Sequence, residues 1–208
     1  MLVTPSRGRA ASLLRTLAES QPQTRGVVCL DQDDAASYQT VLILPPHWEV
    51  LVGPRTGYVG WLNRAFAAFP DEPWYAYWGD DCVGRPVGWD TRLAAFAGTD
   101  RIAYGDDLIN GPTTCCLPFI GGDLVRAVGW LACPRMGHLY CDTVWREIGT
   151  ALDVLTYYPE IITEHQHWTT GKQPYDQTAQ ERQTTGDREA YAVFLAEDLK
   201  GVLARCST

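Results

Sequence analysis

The sequence is poor in the features that would tie a chain to a membrane, a nucleic-acid polymer or an oxidising compartment. No apolar stretch approaches the roughly 20 residues needed to span a bilayer, and the first residues lack the basic segment and apolar core of a signal peptide. The expectation is a soluble, cytoplasmic chain without a membrane span. Basic residues number 17 against 25 acidic ones, a net charge of −8. Such a surface does not attract phosphate polymers as a whole, so any nucleic-acid contact needs a local basic patch. The seven cysteines are odd in number and form no Cys-x-x-Cys pair, which excludes the usual zinc and thioredoxin-like arrangements and leaves mostly reduced, buried thiols. There is no internal repeat and no low-complexity tract.

What is present is enough apolar sequence for a core. At 208 residues and 46% hydrophobic content, the chain can form one domain with an appended tail but is too short for two ordinary domains. The eight tryptophans and ten tyrosines are many for this length and belong mostly to that core.

Elements alternate along the first half. A strand at Met1–Thr4 leads through Pro5-Ser6-Arg7-Gly8-Arg9 to a helix from Ala10 to Glu19, where Leu13, Leu14 and Leu17 share a face. A second strand ends at Asp31, a short helix includes Ala35 to Tyr38, and strands are expected at Thr40–Leu44 and Glu49–Val52. A loop from Gly53 to Gly57 precedes a helix over Tyr58–Phe69, then the strand beginning at Trp74. Beyond Asp81 the chain is read as a loop through Gly84, Pro86 and Gly88 to a helix at Trp89–Phe96, followed by a strand at Ile102–Tyr104. The second half is less regular: a strand or loop at Pro118–Gly122, helices at Asp123–Val128 and His138–Ile148, strands at Val154–Tyr158 and Ile161–Thr163, and an amphipathic helix over Arg188–Leu203. The alternation predicts an α/β fold with a mostly parallel central sheet flanked by helices.

Two strands end in carboxylates. The apolar run Val27 to Leu30 terminates in Asp31, Asp33 and Asp34, and the run WYAYWG terminates in Asp80 and Asp81. In open α/β sheets, ligands bind beyond the carboxyl ends of the strands, so acids placed there are positioned for a nucleotide or its metal. Asp33 also has the chemistry to cap the following helix, and Asp142 could pair with His138 one turn earlier. Two of the four histidines, His165 and His167, lie within three residues of each other, and at this spacing they share a face only in a strand.

In this order, the Thr4 to Arg9 segment, the acids at Asp31–Asp34, the Gly53 to Asn63 loop and helix, Gly79-Asp80-Asp81, the helix with Asp142 and Glu164-His165-Gln166-His167 resemble the GT-A class of nucleotide-sugar glycosyltransferases. The likeness is to family 2-like enzymes and their short phage-encoded relatives. It implies a single GT-A, Rossmann-like domain over residues 1–175 and a C-terminal helical tail over 176–208. It implies that Thr4, Pro5, Ser6 and Arg7 cradle the base and ribose of a nucleotide-sugar donor, a UDP-sugar in the first instance, while Asp33 bonds the base, Arg55 lies near the diphosphate and Asp80 holds the ribose. Asp81, with His165 or His167, would bind a divalent metal, Mn²⁺ or Mg²⁺, and Asp142 would be the general base of an inverting transfer to a hydroxyl acceptor. Phage-encoded relatives would place the chain in the host cytoplasm and make a hydroxymethylpyrimidine in DNA one acceptor to consider. This sequence departs from the family in reading Gly-Asp-Asp for Asp-x-Asp and Cys141-Asp142 for Glu-Asp. A nucleotidyltransferase and a non-catalytic nucleotide-sugar-binding module are the competing readings.

Overall fold

The computed structural model describes residues 1–39, 43–182 and 186–206. Eight strands, β1 (Leu2–Ser6), β2 (Gly26–Asp31), β3 (Trp48–Gly53), β4 (Trp74–Tyr77), β5 (Cys82–Arg85), β6 (Ile102–Asp106), β7 (Phe119–Gly121) and β8 (Leu155–His165), form one sheet. Their order across it is β3, β2, β1, β4, β7, β6, β8, β5. The first four run parallel, β7 is antiparallel to β4 and β6, β8 is parallel to β6, and β5 is antiparallel to β8. Six strands therefore point one way and only β7 and β5 oppose them.

The period-2 alternation of a strand sorts the core into two halves. Val3, Val27, Cys29, Tyr75 and Tyr77 pack on one side with Leu62 and Ala65 of α3 (Gly57–Ala68), Leu124 and Val125 of α5 (Gly122–Val128) and Val144, Trp145 and Ile148 of α6 (Cys141–Ala151). Leu2, Val28, Leu30 and Ala76 pack on the other with Leu13 and Leu17 of α1 (Ala10–Ser20) and Trp89 and Leu93 of α4 (Trp89–Ala97). Both faces are covered, which explains why β1, β2 and β4 read as continuous apolar runs. The short α2 (Ala36–Gln39) follows β2.

Several elements differ from the sequence reading. Cys82–Gly88 is not all loop, because β5 adds to the sheet edge. Its glycine is what hides it: an ideal Cβ at Gly84 would lie 2.1 Å from the Trp89 indole, so the strand is built around a close approach that only glycine permits. The two expected strands after Val154 are one 11-residue strand, β8, bulged opposite Gly105 and Asp106, with its first part on β6 and its last four residues on β5. Helix α6 starts at Cys141 rather than His138. The amides of Gly137, His138 and Leu139 donate to the Asp187 carboxylate, and Tyr140 takes a left-handed conformation (φ 64°), so the helix cannot begin earlier. The expected strand at Thr40–Leu44 falls largely outside the described residues. At the C-terminus, α7 (Gln177–Arg182) precedes α8 (Asp187–Val193) and α9 (Leu199–Cys206), the last two joined by a π turn, and Phe194 and Val202 enter the same core as Val3.

Candidate functional site

The carboxyl ends of β1, β2 and β8 and the chain after β4 open onto a cavity of about 270 Å³. β1 delivers Pro5 and Ser6, β2 delivers Asp31, and the segment beyond β4 delivers Gly79, Asp80 and Asp81. β5 runs the opposite way, so its first residue, Cys82, lies at this same edge. There it pairs directly with His165, the last residue of β8. The histidine thus reaches Asp81 through sheet register across more than 80 residues of sequence.

Asp80 and Asp81 are buried, at 6% and 7% exposure. Asp80 accepts a hydrogen bond from Ser6 Oγ at 2.6 Å, and its backbone carbonyl accepts one from Thr16 Oγ1. The Ser6 hydroxyl is in turn 2.8 Å from Tyr38 OH. One guanidinium nitrogen of Arg9 bridges the two acids at 3.2 Å from each. Burial, and then the Asp81 charge, push the Asp80 carboxyl up to about 7. Burial opposes ionisation of Asp81 as well, but the His165 ring, whose Nε2 is 3.5 Å from Oδ1, outweighs it together with Arg9 and holds this carboxyl below the usual range. Two adjacent acids are thereby driven apart, one toward neutrality and one toward charge.

Three arginines line the same cavity, and each meets a carboxylate. Arg7 forms a two-pronged pair with Asp33 and also bonds Asp31 at 2.9 Å. Arg9 grips Asp176 through two nitrogens, and Arg55 bonds Glu181 at 2.6 Å. Asp31 lines the cavity and accepts from the Trp61 indole at 2.7 Å, whereas Asp33 is 60% exposed and outside the lining. Of the residues proposed from sequence, Pro5, Ser6, Arg7, Arg55, Asp80, Asp81 and His165 converge on the cavity.

Others lie away from it. Thr4 is fully buried within β1, its hydroxyl unpaired. His167 falls beyond the end of β8 and outside the lining; its ring meets that of His165 edge-to-face with centres 5.0 Å apart, and its Nδ1 is 2.7 Å from Thr169 Oγ1, where it caps a 3₁₀ turn. Asp142 occupies the first turn of α6, outside the lining, where Oδ1 accepts the Thr143 amide and Oδ2 lies 3.6 Å from the Cys116 thiol. Burial raises its carboxyl. The phenol of Tyr58, stacked on His138 with ring centres 4.5 Å apart, lies in the combined field of Asp81, Cys82 and Asp142 and is raised by burial first. Tyr58, Asp176 and Glu181 have no signal in the sequence, and Cys82 has only its place next to Asp81; what assembles them is tertiary.

Asp81, Cys82 and His165 offer an oxygen, a sulfur and a nitrogen all within 4.8 Å of one another. A carboxylate beside an imidazole is a donor set suited to a divalent transition metal, so the residues fit the cation that the sequence resemblance implies.

No protein-family model and no curated protein matches the chain. Solved structures do. The mannosyltransferase PcManGT of Pyrobaculum calidifontis, determined with GDP-Man and Mn²⁺, superposes with a TM-score of 0.59 over 99% of this chain and 72% of that one, at 10% identity. The fold is GT-A-like. Rv0371c of Mycobacterium tuberculosis, determined with manganese, matches at 0.53 over 82% of this chain and 94% of that one, at 11% identity, and its homologue from Mycobacterium sp. strain JC1 at 0.52 over 94% and 97%, at 16% identity. At such identities the likeness is one of fold, and function must be argued from the site.

Proposed function

We propose that this chain is a metal-dependent glycosyltransferase that moves a sugar from a nucleotide-sugar donor to a hydroxyl acceptor with inversion. The observation that carries this reading is the convergence, at the carboxyl edge of one sheet, of the Asp81–His165 pair with Arg7, Arg9 and Arg55. Cation ligands and guanidinium forks side by side are what a diphosphate requires. The resemblance in sequence favours a UDP-sugar; GDP-mannose is the natural second donor, because PcManGT was solved with it.

Asp81 and His165 would hold the divalent cation, which when bound supplies Lewis-acid stabilisation of the diphosphate leaving group. Arg7 and Arg55 would exchange their present carboxylate partners for phosphate oxygens. Asp80, oriented by Ser6, would accept from a ribose hydroxyl. Asp142 lies outside the present lining, so an acceptor hydroxyl would have to approach from the α6 side to give it the proton as the oxygen attacks the anomeric carbon. Residues 1–175 would form the transferase unit and 176–208 the tail packed on it. A hydroxymethylated pyrimidine in duplex DNA is the first acceptor to test, with glycan and small-molecule hydroxyls beside it.

The test is calorimetric binding and slow hydrolysis of a panel of UDP- and GDP-sugars, with and without Mn²⁺, on the native chain and Asp81→Ala. Metal-dependent binding of one donor, lost in the variant, supports the reading. Binding of nucleotide sugars with no turnover toward any acceptor or water leaves a binding module instead, and absence of all nucleotide-sugar binding overturns it.

A further inference from the structure

We infer that Cys82 is a thiolate ligand of the cation site, making it a mixed carboxylate, thiolate and imidazole centre that prefers a borderline metal, Zn²⁺ or Co²⁺, to Mg²⁺. This deepens the reading of Asp81 and His165 as metal ligands and rests on it.

The first support is register. Cys82 and His165 are directly opposed residues of an antiparallel pair, so their side chains leave the sheet on the same face. Both line the cavity, as does Asp81. The second is spacing. Cys82 Sγ and His165 Nε2 are each 3.5 Å from the same atom, Asp81 Oδ1. With zinc–sulfur bonds of about 2.3 Å and zinc–oxygen or zinc–nitrogen bonds of about 2.0–2.2 Å, the edges of a tetrahedral site come to about 3.4–3.6 Å. The neighbouring ligands of an octahedral Mg²⁺ at about 2.1 Å lie only about 3.0 Å apart. The two separations to Asp81 Oδ1 match the edges of the larger, tetrahedral polyhedron, and the third pair, sulfur and nitrogen, lies within 4.8 Å.

The third support is the space left beside these atoms. An ideal Cβ at Gly79 would lie 2.7 Å from Asp81 Oδ1 and 2.8 Å from Cys82 Sγ. Any side chain at this position would crowd the oxygen and the sulfur, and glycine keeps their shared flank clear. Three protein ligands leave the fourth tetrahedral position to face the cavity, the arrangement of a metal that acts on a bound molecule rather than one that only braces the fold. Cys82 is 1% exposed; a sulfur this enclosed binds metal by giving up its thiol proton to water as the metal–sulfur bond forms. Soft sulfur selects zinc and cobalt over magnesium, whereas oxygen ligands do the reverse.

Cobalt substitution tests this without reference to catalysis. The native protein is loaded with Co²⁺, bound cobalt is counted by elemental analysis, and the near-ultraviolet region is scanned for sulfur-to-cobalt charge transfer. The expected result is one cobalt per chain with a charge-transfer band that disappears in Cys82→Ser and persists in Cys29→Ser. Cys82→Ser should also lose roughly a hundredfold in Zn²⁺ affinity, at least the upper end of what supporting groups of a metal site contribute, with little change for Mg²⁺. Cobalt bound without the band in the native protein overturns the thiolate assignment and leaves the Asp81–His165 reading standing. No cobalt bound overturns both. If Cys82→Ser fails to fold, Cys82→Ala takes its place, and a native spectrum without the band overturns the assignment without either variant.

Discussion

The two halves of the sheet are built on different rules and contribute different chemistry. The half formed by β3, β2, β1 and β4 is wholly parallel, and each of its inner strands ends in a polar or acidic residue at the cavity: Ser6, Asp31, and Asp80 with Asp81 just beyond β4. The half formed by β7, β6, β8 and β5 is mixed, and it sends to the cavity one histidine and one cysteine set opposite each other. The site exists only where the halves meet. A parallel sheet places ligands by topology, since every strand end faces the same way; the mixed half places them by register, where a slip of one residue would turn His165 to the other face.

That contrast can be broken at the seam. Asp81→Ala removes the residue that the parallel half contributes to the pair with His165, and the proposed transfer activity should fall by about 10²–10³-fold in steady-state kinetics, the scale of losing one preorganised charge-stabilising group; a smaller loss would weaken the assignment. Gly84→Val attacks register instead. Its Cβ meets the Trp89 indole at 2.1 Å, so overpacking should cost about 1–3 kcal/mol in urea denaturation, and metal affinity should fall with stability because β5 carries Cys82 against His165.

Asp187→Ala sharpens the comparison from outside the sheet. It strips a charged acceptor from three amides of the loop that delivers Gly137 and His138 to the cavity, and a loss of about 3 kcal/mol is expected from hydrogen bonds to a charged group. Hydrogen exchange at residues 137–139 should rise more than at β1.

The pH dependence of stability discriminates between the two acids. Asp80 is raised to about 7, so between its ordinary range near 3.8 and 7 the folded state holds a proton that the unfolded state has lost. Its contribution is therefore present at low pH and disappears as pH rises through about 7. Asp81, held down by His165 and Arg9, does the opposite: its contribution is present above the ordinary carboxylate range and is lost only on strong acidification. In metal-free protein, Asp80→Asn should flatten the decline in melting temperature between pH 4 and 7, and Asp81→Asn, which removes only the second cause of the Asp80 shift and leaves its burial, should flatten it less. The smallest effect is expected of Glu181→Gln. Its pair with Arg55 is about half exposed on both sides, where ion pairs are worth about 0–1 kcal/mol, so donor affinity should tighten only a few-fold by titration calorimetry.

The same division governs what could be read from sequence. β1, β2 and β4 are covered on both faces, so each reads as an apolar run with its polar or acidic terminus in plain view, and the segment around Asp80 and Asp81 stood out for that reason. β5 did not, because four residues with a central glycine before a proline carry loop chemistry, and only the Trp89 ring packed on Gly84 makes a strand of them. Cys82 accordingly looked like an ordinary buried thiol. His165 was legible as a candidate ligand, but its spacing from His167 suggested that both could face the cavity; the strand ends at His165, and of the two rings, which touch edge-to-face, it is His165 that lies in the lining. Of the acids after β2 the resemblance singled out Asp33, whereas Asp31 is the one in the cavity lining, where the Trp61 indole reaches it from α3, a contact the chain alone does not show.

Arg9 gives the site one more property. Its guanidinium rests between Asp80 and Asp81 while its other nitrogens are held by Asp176 from the C-terminal segment. The resting cavity is in effect a loaded ion exchanger whose counterion is tethered to the chain. A divalent cation held at Asp81 Oδ1, as proposed above, would stand beside this tethered positive charge, which occupies the other oxygen of the same carboxylate, and an anion in the cavity would relieve the repulsion between the two. Metal and diphosphate should accordingly bind with mutual reinforcement, each raising the affinity for the other by the same factor, and neither should bind tightly alone.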